Sequence, residues 1–292
     1  MKTQIKIENF NDYGRLYDLM ISTSAEMEDI TIELGDSLSY EPLEIIILAM
    51  AYIQLFNGNH HGTFVLPVNL EKQWILYQIG LPEFLRTNHT KTNTMVSIPS
   101  KTAMPIKRLD MAHLDSYVQD AIDFFGSNCK GKETTMLKLT IAELINNVYD
   151  HANSIIDAYI FSNYFPEKNQ ISIIVGDFGM GIPAKANEYF KQYDEPVRSS
   201  VDCIKWALEM NQSSFSKPHN RGKGLNNLHT FVNSSESNLR IFSNDVMLLS
   251  SKEGDIIAEN PIRNFRGTIV EININIDGLS YELDSSIESL FD

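Results

Sequence analysis

The chain has 292 residues, of which 43% are hydrophobic and 21% charged, and its formal net charge is −14 at pH 7. That length supports two domains, each able to bury a core, while the acidic balance argues against a general affinity for nucleic acid or an anionic membrane. The two cysteines, Cys129 and Cys203, have neither metal-ligand nor disulfide-framework spacing and read as unpaired thiols.

The first residues hold no apolar run of the kind a secretion signal needs. The longest apolar run, residues 45–56, is about half the length required to span a bilayer. The chain therefore reads as cytoplasmic and without a membrane segment. Residues 30–34 alternate as a strand does. Next, Ser39 is a candidate N-cap with Pro42 in the first helical turn. Residues 43–56 carry the broad apolar face of a core helix, ended by Asn57, Gly58 and Asn59. Residues 62–67 read as a second strand and 73–79 as a short helix before Gly80. Strand and helix in alternation imply a small α/β domain with parallel pairing, over residues 1–90. His60 and His61 have no third ligand near them in sequence and read as a solvated loop pair.

Residues 91–108 are polar, with Pro99 and Pro105 and no helical period, and are expected to be a linker, with one short strand near 95–98. A helix over 111–125 follows, then a longer one from about residue 133. In that second helix Glu143, Asn147 and His151 recur every four residues and form one slanted row, which Asp150 joins. Leu137, Ile141, Leu144, Ile145 and Val148 make the opposite, apolar stripe. The polar row contains no lysine. It suits a hydrated divalent cation, which takes oxygen ligands and keeps several waters; taken alone, it suits an ordinary solvated face as well.

Residues 171–177 read as a buried strand running into a glycine-rich turn. Asp177 ends the strand, where a carboxylate can accept a hydrogen bond from an exocyclic amine, and Gly179 and Gly181 let the backbone approach a flat ring. Residues 184–193 and 201–210 read as helices, and 213–220 as a loop rich in Ser, Pro and Asn. Arg221, Gly222, Lys223, Gly224 and Leu225 form a glycine-basic loop opening a helix, whose free N–H groups and dipole suit polyphosphate. Arg266, Gly267 and Thr268 open a strand at 269–276. Strands at 158–165, 171–177, 239–243, 246–250 and 268–276 are expected to make one mixed sheet with its helices on one face, with Asn244 and Asp245 as a hairpin turn. Residues 279–292 form an acidic tail expected to fray. The pattern GxxxxGK[ST] is absent, which excludes a P-loop.

Taken in order, these pieces resemble the GHKL ATPases, whose nucleotide pocket is the Bergerat fold found in DNA gyrase, heat-shock chaperone, sensor histidine kinase and mismatch-repair ATPase domains and in the anti-sigma-factor serine kinases. The resemblance covers residues 109–277. Glu143 and Asn147 match the N-box, Asp177-x-Gly179-x-Gly181 the first glycine box, Gly222-x-Gly224-Leu225 the second, and Gly267-Thr268 the late-strand motif. The resemblance implies an α/β fold: a two-layer α/β sandwich of the Bergerat type over 109–278, preceded by the small α/β domain. It implies ATP and Mg²⁺ as ligands, with Asn147 holding the metal. Asp177 would read the adenine amino group, Thr268 would support it and Ile182 would pack against the base. Glu143 would be the general base. The region 184–220 would be the ATP lid, and Arg221 and Lys223 would meet phosphates. His151 stands where the N-box of anti-sigma-type kinases closes, whereas Asp150 is similar to the topoisomerase-like pattern, so the subfamily stays open. His113 lacks the neighbours of a phosphoacceptor histidine and reads as a helix-surface residue.

Residues 36–85 look similar to a STAS domain, the fold of anti-sigma-factor antagonists. The antagonists' phosphorylated serine would fall near Ser37 or Ser39, but the flanking residues do not match, so this STAS-like domain reads as a binding or packing module. Three functions follow from the resemblance. The first is a Mg-dependent ATP-binding switch with slow hydrolysis acting on a protein partner; the second is an anti-sigma-type serine/threonine kinase; the third is a nucleotide-binding adaptor without turnover. Such modules often act as homodimers.

Overall fold

The computed structural model describes residues 2–9, 12–22, 29–56, 61–87, 100–109, 113–152, 158–209, 224–262 and 265–281, and within them the strands form two sheets. The first sheet contains β1 (Lys2–Ile7), β2 (Asp29–Leu34) and β3 (His61–Val65), all parallel and in chain order. Parallel neighbours need crossovers, supplied by α1 (Asp12–Ser22) and α2 (Pro42–Phe56). Burial alternates along β2, with Ile30, Ile32 and Leu34 turned into the core. The sequence reading did not find β1 or α1. Tyr13, Leu16 and Tyr17 of α1 are buried, yet Gly14, Arg15 and Asp18 break up the apolar pattern, and Gly14 is a poor helix former.

The helix α2 is the centre of the molecule. Ile45, Ile46, Leu48 and Ala49 have no exposed surface, as expected of a helix that is apolar all round and enclosed all round. It packs against α1, β3 and the later α4 (Leu81–Thr87), and also against β5 (Ala158–Phe165) and β6 (Gln170–Asp177) of the second sheet. Its entry differs from expectation. Pro42 is the first helical residue. Glu44, rather than Ser39, receives the free N–H there: its Oε2 accepts from the Glu41 N–H at 3.1 Å and from the Ser39 hydroxyl at 3.0 Å. A carboxylate at this end also complements the helix dipole. After β3, α3 (Leu70–Gln78) is capped by Asn69, whose side chain accepts from the Lys72 N–H.

The second sheet has the order β4-β5-β6-β10-β7-β8-β9. Its further strands are β4 (Ala103–Leu109), β7 (Asn238–Ser243), β8 (Val246–Ser251), β9 (Gly254–Glu259) and β10 (Thr268–Asn275). Every neighbouring pair is antiparallel, which corrects the expected mixed sheet. The pairs β5–β6, β7–β8 and β8–β9 are joined by short turns, and β10 returns between β6 and β7 running opposite to both. A second correction concerns the expected linker: residues 103–109 form the edge strand. Pro105 is compatible with that role because it lies where the β4–β5 register shifts, on an edge strand where a missing N–H is tolerated. The strand β9 went unread because Gly254, Asp255 and Glu259 hide it and its residues are largely exposed.

The helices α5 (Leu114–Gly126), α6 (Thr135–Ala152) and α9 (Gly224–Ser234) cover one face of this sheet, joined by Ile204 and Leu208 of α8 (Ser200–Leu208). Phe125, Leu137, Ile141 and Leu144 share a core there with Ile160, Ile173, Ile241 and Ile272. These helices and the sheet make a two-layer α/β sandwich. Its other face is not open to water: Tyr159, Phe161, Ile174, Phe242 and Ile269 lie in one continuous core with α2. A small third core joins α7 (Ile182–Gln192) to α8 through Ala186, Phe190, Cys203 and Trp206. Cys129 and Cys203 are free and buried. Among the described residues no helix is long and apolar enough to cross a membrane.

Candidate functional site

Asp177 closes β6 opposite Thr268, the first residue of β10. Its carboxyl accepts the Gly179 N–H at 2.5 Å and the Thr268 N–H as well. It is only 6% exposed, and burial pushes its pKa up from 3.8 to about 7, against the pull of those two N–H donors. A buried carboxyl at a strand end, fixed by backbone and titrating near neutrality, is suited to receiving a donor from a ligand.

Ser243, the last residue of β7, ties the neighbouring turns together. Its hydroxyl donates to the Gly267 carbonyl at 3.1 Å and accepts the Ile182 N–H at 2.8 Å. With its one proton so used, the 3.0 Å contact to Thr268 Oγ1 has Thr268 as donor. The sequence reading missed Ser243; its signal was only a serine next to the Asn244-Asp245 turn. Asn244 donates from Nδ2 to the Met180 carbonyl at 3.1 Å, and its own Oδ1 is buried with no hydrogen-bond partner.

Two glycines are required by close approach. Gly181 (φ 84°) lies against the Asn244 amide, and a Cβ there would collide with it. Gly267 (φ 115°) lies so near the Asp177 carbonyl oxygen that no side chain fits. Both adopt a backbone that L side chains rarely take. Asp177, Gly179, Gly181, Ile182 and Thr268 are thus gathered at one end of β6, β10 and β7. Ile182, half-buried, begins α7 with Pro183 in its first turn.

The helix α6 packs on β5, β6 and α9. Between α6 and α9 lies a cleft of about 660 Å³, lined by Glu133, Thr140, Glu143, Asn226 and Asn227 among others. Glu143 is therefore half-buried on the wall shared with the start of α9. There Gly224 is the first helical residue, Leu225 packs into the core, and Asn226 donates from Nδ2 to the Leu208 carbonyl at 2.8 Å. The backbones of Asn147, Asp150 and His151 lie in α6, but their side chains, like Arg221, Gly222 and Lys223 entirely, lie outside the described residues. The second glycine box is described only from Gly224 onward.

At the end of β6 a buried acceptor, Asp177, stands beside backbone at Gly181 and Gly267 where no side chain fits, an arrangement suited to a flat ring that carries a donor. No group of three or more His, Cys, Asp or Glu residues that could hold a metal occurs among the described residues. The side chain of Asn147, the metal ligand expected from the resemblance, lies outside the described residues.

No family model matches the chain, and no curated protein matches it. Among solved structures, the 43K ATPase domain of Thermus thermophilus gyrase B in complex with an aminocoumarin is similar over 61% of this chain and 43% of that one, with 18% identity and a TM-score of 0.30. The chain thus spans less than half the length of that protein.

Proposed function

We propose that this protein binds Mg·ATP at the end of β6 and uses it as a conformational switch on a protein partner, with Glu143 supporting slow hydrolysis. The observation that carries the reading is Asp177: a buried carboxyl pinned by the Gly179 and Thr268 N–H groups, beside a glycine wall at Gly181 and Gly267. The adenine amino group donates to the ionised Asp177, and Ile182 covers the ring. The N–H groups of the first turn of α9 face the phosphates, and Arg221 and Lys223, which precede it in sequence, meet them. Mg²⁺, held by Asn147, supplies charge neutralisation to the phosphates when bound. Glu143 orients a water and takes its proton as the water oxygen attacks the γ-phosphorus and ADP departs.

The test is calorimetric titration with ATP and a non-hydrolysable analogue, with and without Mg²⁺, followed by phosphate release. The expected result is Mg²⁺-dependent binding, with Glu143→Ala still binding and release lost. Equal release by mutant and wild type would remove Glu143 as base. Binding without release would favour the kinase or adaptor alternatives, and no binding would sink the reading.

A further inference from the structure

We propose that the N-terminal layer sets the geometry of the nucleotide site from behind, with Tyr17 and Met50 as positioning residues. This rests on the nucleotide reading above and adds a regulatory role for residues 2–87. Three contacts converge on the site. The Tyr17 hydroxyl, on α1, accepts the backbone N–H of Arg266, and its ring lies 5.3 Å from that of Phe265. Those two residues lead directly into Gly267 and Thr268. On α2, Met50 Sδ lies 2.5 Å from the point a Cβ on Gly176 would occupy, so the absence of a side chain there lets α2 close on β6 one residue before Asp177. From α4, Phe84 meets Tyr159 at 6.5 Å, and Tyr159 meets Phe178 at 6.2 Å. Phe178 lies between Asp177 and Gly179.

Of the residues touched, 176 and 178 flank Asp177 and 265 and 266 lead into Thr268, and Asp177 and Thr268 pair with each other across β6 and β10. The same layer grips both strands of that pair, so a shift of α1 or α2 alters how the Asp177 carboxyl meets its two N–H donors. A closely packed interior transmits such a shift rather than absorbing it. The coupling is reciprocal: anything that moves the first sheet changes nucleotide affinity, and nucleotide tightens the first sheet by the same factor.

The experiment measures Mg·ATP affinity and melting midpoint together in the full chain. Tyr17→Phe keeps the ring and removes the acceptor; its affinity is expected to fall about fivefold, the scale of one net hydrogen bond. Leu248→Ala, fully buried on β8 in the other core, is expected to lower the midpoint and leave affinity unchanged, which separates positioning from stability. Gly176→Ala is expected to weaken binding and the added Met50→Ala to restore it, while Mg·ATP slows amide exchange in α1. Wild-type binding with unchanged affinity in Tyr17→Phe and Gly176→Ala, and no exchange response in α1, would overturn the coupling and leave the nucleotide reading standing. Failure of the wild type to bind would remove both.

Discussion

Asp177 is the residue whose chemistry is most exposed to test. Burial favours its protonated form, raising the pKa from 3.8 to about 7. The sign for folding follows: this group's stabilising contribution is complete below 3.8 and is lost as pH rises through about 7. Asp177→Asn should remove that slope from a stability–pH curve of the free protein. For the ligand the sign reverses. An amine donor needs the ionised carboxylate, so nucleotide affinity should rise between pH 6 and 8, with a fraction of a proton released on binding. Titration in two buffers of different ionisation enthalpy measures that release; no buffer dependence near pH 7 would contradict it. Gly267 makes a second prediction at this scale. With φ at 115° and the Asp177 carbonyl where a Cβ would go, Gly267→Ala should destabilise by at least about 1–3 kcal/mol, read as a lower denaturation midpoint. An unchanged midpoint would mean that the turn has room that the structure does not show.

At the scale of elements, legibility followed local pattern. The apolar stripe of α6 was readable because Leu137, Ile141, Leu144 and Ile145 keep helical period and are all buried. The strands β5, β6, β7, β8 and β10 were readable as apolar runs, and Asp177 and Thr268 as residues at strand ends. What local pattern does not carry is pairing: the antiparallel insertion of β10 between β6 and β7 depends on contacts distant in sequence, and the mixed sheet was a wrong expectation for that reason. Ser243 was invisible on the same ground, since only the pairing of β7 with β10 brings it to Thr268. The helix α2 is legible as a core helix from its composition, but nothing in its local pattern shows that it serves two sheets at once. Its own prediction is Ile46→Ala, which removes a fully buried side chain and should cost about 2–5 kcal/mol, measured by denaturant unfolding. A loss below 1 kcal/mol would contradict its placement between the sheets.

At the scale of the molecule, one continuous core joins the first sheet, α2 and the back of the second sheet. Layers sharing a core unfold together. The chain carries two tryptophans, Trp74 in α3, which packs on α4 of the N-terminal layer, and Trp206 in α8, which packs on β8 of the second sheet. Retaining one at a time should give coincident unfolding curves, and separated midpoints would show two independent domains instead. The acidic charge that argues against nucleic acid is a whole-molecule property too, and it makes a polyphosphate site depend on local N–H groups and a few cations rather than on net charge.

On the proposed reading, Asp177 receives an adenine amino group. Its most direct test is calorimetric titration of wild type and Asp177→Asn with Mg·ATP at pH 8, where the wild-type carboxyl is ionised. The wild type is expected to bind and the variant to lose about 1–3 kcal/mol, the cost of a mismatched buried hydrogen bond. Equal affinity in the two proteins would contradict it, because the base would then lie elsewhere.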